Sequence, residues 1–167
     1  YRDVRITPIY EGTNGIQAAD LVFRKLPMGG GSVMQSLLGE MADLANELSA
    51  DDALADIGDA LAAATEVLTS SAMWLGGQLA TSPNNAAAGS AAFLRMSGIV
   101  VGGYYLARSA HIASAQLADG SGNADLMTDK VTVAKFYAEQ ILPTAAGLSA
   151  AVQGGADLCF AIPTDRL

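Results

Sequence analysis

The segment Tyr1-Arg2-Asp3-Val4-Arg5-Ile6-Thr7-Pro8-Ile9-Tyr10-Glu11-Gly12-Thr13-Asn14-Gly15-Ile16-Gln17 gathers the residue types in this chain most able to do chemistry. Its pattern predicts an extended approach fixed by Pro8, a tight turn at Glu11-Gly12, and a helix capped by Thr13. A carboxylate then stands beside a helix start. Gly12 removes the side chain where a ligand would have to come close to the backbone, and the free amides of the first helical turn offer donors to an oxygen-rich group. Spacing alone leaves two readings of Glu11 open: a base facing a ligand, or an acid placed where the helix dipole favours negative charge. The second is the commoner use of such a residue.

The other candidate groups are isolated. His111 has no second histidine and no carboxylate at a neighbouring helical spacing, which predicts a surface or core-edge side chain. Cys159 is the single cysteine, so no intramolecular disulfide forms; a reducing compartment and a buried, small apolar role are expected. The acids Asp43, Glu47, Asp52, Asp56 and Asp59 stack at three- and four-residue intervals, but no Glu-x-x-His partner completes a di-metal site. They predict no metal centre, only a solvated acidic face or one that docks on a basic region. Trp74 and Tyr104-Tyr105 read as core or interface anchors. Gly-rich phosphate loops, Ser/His/Asp sets and basic-aromatic stripes are missing from the sequence.

The elements that must position these groups are helical. The 167 residues (17.0 kDa) are 51% hydrophobic and 16% charged, with 32 alanines but only 6% aromatics. Mean hydropathy is +0.30. Such a composition buries well and favours closely packed helices over a sheet. The net charge of −8 leaves no electrostatic footprint for a nucleic acid. Residues 26–94 hold eight acids and no base, so the charge is concentrated in the middle of the chain. Pro27-Met28-Gly29-Gly30-Gly31 reads as a linker over 27–31.

Beyond it, Ser32 is the expected cap of a helix carrying Val33, Leu37, Met41, Leu44 and Leu48, with Glu40, Asp43 and Glu47 facing away. A second helix, capped by Ser49 or Asp51, carries Leu54, Ile57, Leu61, Leu68, Leu75 and Leu79 and stops before Pro83. A third runs from about residue 85 to 117 through Phe93, Met96, Val100, Tyr104 and Ala107. A fourth starts near Asp125 with Leu126, Val133, Phe136, Ile141 and Leu148, and Pro143 bends or divides it. The prediction is an all-α fold: an antiparallel up-and-down four-helix bundle. Gly98, Gly102 and Gly103, with Gly76-Gly77, mark expected close contacts. The uncharged run 67–94 is broken by Ser82-Pro83-Asn84-Asn85 and predicts no membrane span. With no initiator methionine and no signal-peptide pattern, the chain reads as a fragment of something longer.

The string Ile9-Tyr10-Glu11-Gly12-Thr13-Asn14-Gly15-Ile16-Gln17, preceded by Arg2-Asp3 and followed by Asp20-Leu21 and Arg24-Lys25, resembles the catalytic loop and closing helix of the flavin-dependent acyl-CoA dehydrogenases. Residues 32 to about 162, with Phe136-Tyr137-Ala138-Glu139-Gln140-Ile141-Leu142-Pro143 and Gly154-Gly155-Ala156-Asp157, resemble the extra helical C-terminal domain of the larger bacterial subgroup, which includes enzymes acting on 3-methylmercaptopropionyl-CoA. The resemblance divides the chain into 1–26, the end of a catalytic domain, the linker 27–31, and the bundle 32–167. It implies that Glu11 is the catalytic base taking the α-proton of an acyl-CoA while a hydride leaves the β-carbon for FAD. It further implies that Tyr10 and Gly12 bind substrate and that Thr13 and Asn14 touch FAD.

By the same resemblance the full-length parent takes FAD, acyl-CoA and electron-transfer flavoprotein, packs the bundle on its catalytic core, forms a homo-oligomer, and works in a bacterial cytoplasm. The fragment itself is expected to be inactive and flavin-free, since the pocket walls lie elsewhere. Alternatives are a non-catalytic oligomerisation or docking bundle, and part of an acyl-CoA oxidase sharing the same base. The chemistry explains the residue type: a solvated glutamate titrates near about 4.3. The helix terminus lowers that value, and only walling off by substrate and flavin raises it towards an effective base.

Overall fold

A computed structural model describes residues 2–7, 9 and 12–166. Asp3–Ile6 forms a short 3-10 turn, followed by α1 (Asn14–Asp20), which continues as a π-helical turn over Leu21–Lys25. A second 3-10 turn, Met28–Gly31, leads into α2 (Ser32–Ser49), α3 (Ala55–Thr81), α4 (Pro83–Asp119) and α5 (Ala124–Gln140). A 3-10 stretch, Leu142–Leu148, then precedes α6 (Ser149–Gln153), and two further 3-10 turns lie beyond it. No strand occurs among the described residues, and the fold is all-α as the composition requires.

The boundaries follow local chemistry. Gly29, Gly30 and Gly31 have φ of 59°, 68° and 91°, a left-handed run that only glycine enters cheaply, and it separates α1 from α2 where the linker is expected. Gly31, not Ser32, holds the cap position of α2, and no side chain caps it. Likewise α3 starts after Leu54, while Asp51 accepts a hydrogen bond from the Ala53 amide in the preceding turn and Ser49 Oγ donates to Asp59. Pro83 does more than stop α3: it opens α4 at the position where a missing N–H costs nothing. Asn123 caps α5 by accepting from the Leu126 amide at 3.0 Å. Pro143 divides the last helix into the Leu142–Leu148 stretch and α6, as its ring and lost donor dictate.

Helix α4 is the centre. It packs against α1, α3, α5, α6 and the Leu142–Leu148 stretch, and its Phe93, Met96 and Val100 are fully buried. Its length and apolarity alone would suit a membrane span, yet much of that surface is spent inside the protein. Helix α3 contributes Ile57, Leu61, Leu68 and Leu75 to the same core, with Leu54 just before it, and α2 contributes Met41, Leu44 and Leu48. The predicted stripes of the first three long helices are thus largely buried: Leu37 and Leu79 are half-buried at the core edge, and Val33 is exposed.

The fourth stripe is not. Leu126, Val133 and Phe136 are exposed, and α5 docks instead through Met127, Ala134 and Ala138. Glycines of α4 leave room for large side chains from this end of the chain: a Cβ at Gly102 would lie 2.8 Å from Tyr137 Oη of α5, and one at Gly103 would lie 2.5 Å from Leu142. Helices α2 and α5 make no substantial contact, so the packing is not a closed ring of four; the Leu142–Leu148 stretch and α6 fill against α3 and α4. Gly98, Gly76 and Gly77 face open space, contrary to the close contacts expected of them. The tight approaches of main chain are at Gly58, against the Ser49 amide, and Gly89, against the Val152 carbonyl.

Candidate functional site

The predicted site begins in a segment that is helical where extension was expected. Asp3–Ile6 is a 3-10 turn, and Thr7 takes right-handed helical angles although Pro8 follows it. Two bonds to one acceptor outweigh the proline bias: the Thr7 amide and Oγ1 donate to the Val4 carbonyl at 3.0 and 2.8 Å. Val4, Ile6 and Ile9 stay exposed among the described residues.

Tyr10 and Glu11 lie outside the described residues. Gly12, Thr13 and Asn14 follow each other along an exposed turn into α1. Gly12 has φ +141°, a conformation that a side chain would strain. Thr13 occupies the cap position but makes no side-chain cap bond; the first helical turn is closed by its carbonyl, which accepts from the Gln17 amide at 2.8 Å. The Thr13 hydroxyl is therefore not spent on capping. Residues 12–17 are all exposed, whereas Ala18 and Val22 are completely buried. The helix is thus seated by its far end on α4 and presents its start to solvent.

Asp20 fixes the closing helix from outside. It accepts from Arg24 through both oxygens, with Nη2 at 2.9 Å, and pairs with Lys25 Nζ at 3.5 Å. The π-helical turn, marked by the Leu26 amide donating to the Leu21 carbonyl, is the geometry in which both cations meet one carboxylate. The Arg24 hydrogen bond lowers the Asp20 pKa below its ordinary value, assisted by the charges of Arg24 and Lys25.

The remaining candidates are placed as follows. His111 is exposed, with Nε2 4.0 Å from Glu47 Oε2 on α2, a carboxylate that helical spacing within α4 could not reveal. Cys159 is exposed rather than buried, because the chain after α6 runs over the surface in short turns. Tyr104 is buried and donates to Glu40 at 3.4 Å; Tyr105 is exposed beside it. Trp74 packs at the core edge. Among the described residues no group of three or more His, Cys, Asp or Glu side chains is placed to hold a metal ion. Sequence reasoning missed Asn85, whose Nδ2 donates to Gln78 at 3.1 Å and whose Oδ1 accepts from the Ala156 amide at 3.0 Å. The signal was a polar pair directly after Pro83, in the interruption of an otherwise apolar run.

Residues 37–163 match the family described as acetyl-CoA dehydrogenase C-terminal like. The chain is 39% identical over 143 residues to 3-methylmercaptopropionyl-CoA dehydrogenase of Ruegeria pomeroyi, 31% over 150 residues to the broad-specificity linear acyl-CoA dehydrogenase FadE5 of Mycobacterium tuberculosis, and 30% over 149 residues to butyryl-CoA dehydrogenase of Syntrophomonas wolfei. Each comparison covers 85% of this chain and 24% of the relative, so the chain spans about a quarter of the length of the curated proteins it matches. An all-α fold, the family match over most of its residues and this identity to named dehydrogenases together place the chain in the acetyl-CoA dehydrogenase C-terminal-like family.

Proposed function

We propose that this chain is the C-terminal part of an FAD-dependent acyl-CoA dehydrogenase that converts an acyl-CoA thioester to its trans-2-enoyl-CoA in a bacterial cytoplasm. The observation that carries the reading is the identity, over 85% of the chain, to relatives named as acyl-CoA dehydrogenases. In this division residues 1–26 end the catalytic domain, 27–31 link, and 32–167 form a bundle that packs on the catalytic core of a homo-oligomer.

Glu11 takes the α-proton of the thioester. Its backbone amide helps hold the thioester oxygen, where negative charge develops as that proton leaves. Tyr10 and Gly12 line the substrate side of the turn, and the positive φ of Gly12, which disfavours any side chain, supports a backbone kept bare for close approach. Thr13 and Asn14, exposed at the start of α1, hold the edge of the flavin. Bound FAD supplies the acceptor for the β-hydride, with electron-transfer flavoprotein downstream. The residues present make one edge of that site, so the isolated chain is inactive and colourless. Glu11→Gln in the full-length parent is expected to lower acyl-CoA turnover by at least about 100-fold, the usual scale for removing a general base. Unimpaired dehydrogenation by that variant, or a stoichiometric flavin spectrum from the 167-residue chain, refutes the assignment.

A further inference from the structure

Two hollows, of about 470 and 450 Å³, open side by side between α2 and α3 and share Leu38, Thr69 and Met73 as walls. Together they reach from Leu79 to Ala62 along α3, a groove of about 25 Å at the helical rise. Apart from Glu66 its lining is uncharged. Gly76 leaves open space where a side chain would stand, and Met73 is 74% exposed beside fully buried Leu75. An adaptable thioether over small residues is the surface that receives a helix.

A second observation lies in the groove wall. Thr65 is only 5% exposed, and its Oγ1 has no hydrogen-bond partner among the described residues. Thr69, Thr81, Thr128 and Thr132 all return their hydroxyls to the carbonyl four residues back, and Thr65 does not. Ser71 and Ser97 also hold buried hydroxyls without a partner among the described residues, but of the three Thr65 alone lines the groove, and an occupant of the groove would satisfy it. Charge sets the character of the occupant. Glu66 lines the groove, Asp43 and Asp59 sit beside its walls by helical position, and residues 26–94 contain no base to offset them. A second copy presenting this face would bring acid against acid.

We infer that the groove between α2 and α3 is the seat of a helix from the catalytic portion of the same polypeptide. That helix has an apolar, small-residue face, Lys or Arg along its flanks, and one polar side chain reaching Thr65. The relatives are about four times longer than the stretch they share with this chain, which supplies the chain to provide it. The inference rests on the proposed parent enzyme.

Met73→Cys, an exposed substitution, is introduced into the full-length parent and into the 167-residue chain, and maleimide labelling is followed on the peptide containing position 73. Labelling is expected to be at least tenfold slower in the parent, and Asp43→Lys with Glu66→Lys is expected to remove most of that protection. Equal rates in the two proteins overturn the inference. A photo-crosslinker attached at position 73, in parent mixed from isotopically light and heavy copies, identifies the occupant. Crosslinks within one copy to a Lys- or Arg-flanked segment support the inference; mixed-isotope crosslinks, or a segment without such residues, overturn it. A parent that protects position 73 but does not depend on Glu11 refutes the base assignment alone, while one that depends on Glu11 with position 73 open refutes the groove alone.

Discussion

Gly89 and Gly98 lie nine residues apart in α4, both in helical conformation, and the same substitution should move stability in opposite directions at the two sites. A Cβ on Gly98 meets nothing within 4 Å. Gly98→Ala therefore gains helix propensity alone, about 1 kcal/mol. A Cβ on Gly89 would lie 2.2 Å from the Val152 carbonyl oxygen, with the Val152 carbonyl carbon and Cα behind it at 3.1 and 3.3 Å. That obstacle is main chain, held by a completely buried Val152 side chain, so it cannot rotate away. The overpacking penalty then falls towards the upper end of the usual range, about 3 kcal/mol, and the net effect of Gly89→Ala is about 2 kcal/mol of destabilisation. Because both substitutions restrict the unfolded chain alike, that contribution cancels between them, and the difference of about 3 kcal/mol reports the approach of α6 alone. Urea unfolding followed by helical circular dichroism measures both variants, with an unchanged slope required for the comparison. If Gly89→Ala is stabilised as Gly98→Ala is, α6 does not pack on α4 as described.

Asn85→Ala should loosen the last turns without unfolding the bundle. It removes the acceptor of the Ala156 amide and the donor to Gln78, a loss of about 1–2 kcal/mol. Hydrogen exchange at Ala156 is expected to accelerate about tenfold while α3 keeps its protection; unchanged exchange rules out the tie. Asp20 should titrate below an ordinary aspartate in a carboxyl NMR titration, and Arg24→Ala should return it towards the ordinary value, since the Arg24 hydrogen bond is the largest cause of the shift. The sign follows from linkage: with the folded pKa lowered, the contribution of this pair is present above the unfolded carboxylate pKa and disappears as pH falls through the lowered value. Both partners are at the surface, so added salt should shrink the shift; a titration insensitive to Arg24 and to salt argues against the pair.

What the sequence made legible, and what it hid, separates by side-chain size. Leu, Ile, Met and Phe at three- and four-residue intervals mark the buried faces of α2, α3 and α4, because large apolar groups carry most of the transfer free energy and must be covered. On α5 the same logic selects Leu126, Val133 and Phe136, and these are the residues left in solvent. The helix buries Ala134 and Ala138 instead, and its Tyr137 reaches over Gly102 of α4 to donate to the Ile99 carbonyl at 3.0 Å; alanines and a tyrosine hydroxyl leave little signature in hydropathy. The glycines repeat the lesson. The spacing Gly98-x-x-x-Gly102 suggests a contact face, yet Gly98 is open and the backbone approaches occur at Gly58 and Gly89, set by where Ser49 and Val152 arrive from elsewhere in the chain. Around the candidate site, the approach expected to be extended is a 3-10 turn over Asp3–Ile6, while the helix start at Thr13 was readable because glycine and a cap residue are local signals. The pairing of His111 with Glu47, the tie from Asn85 to Ala156, and the exposure of Cys159 were not, since each is decided by segments distant in sequence. Periodicity identifies a face; it does not say which neighbour covers it. For that reason the groove between α2 and α3, whose lining mixes Leu38, Met73 and Leu79 with small and polar residues, became visible only once the two helices were side by side.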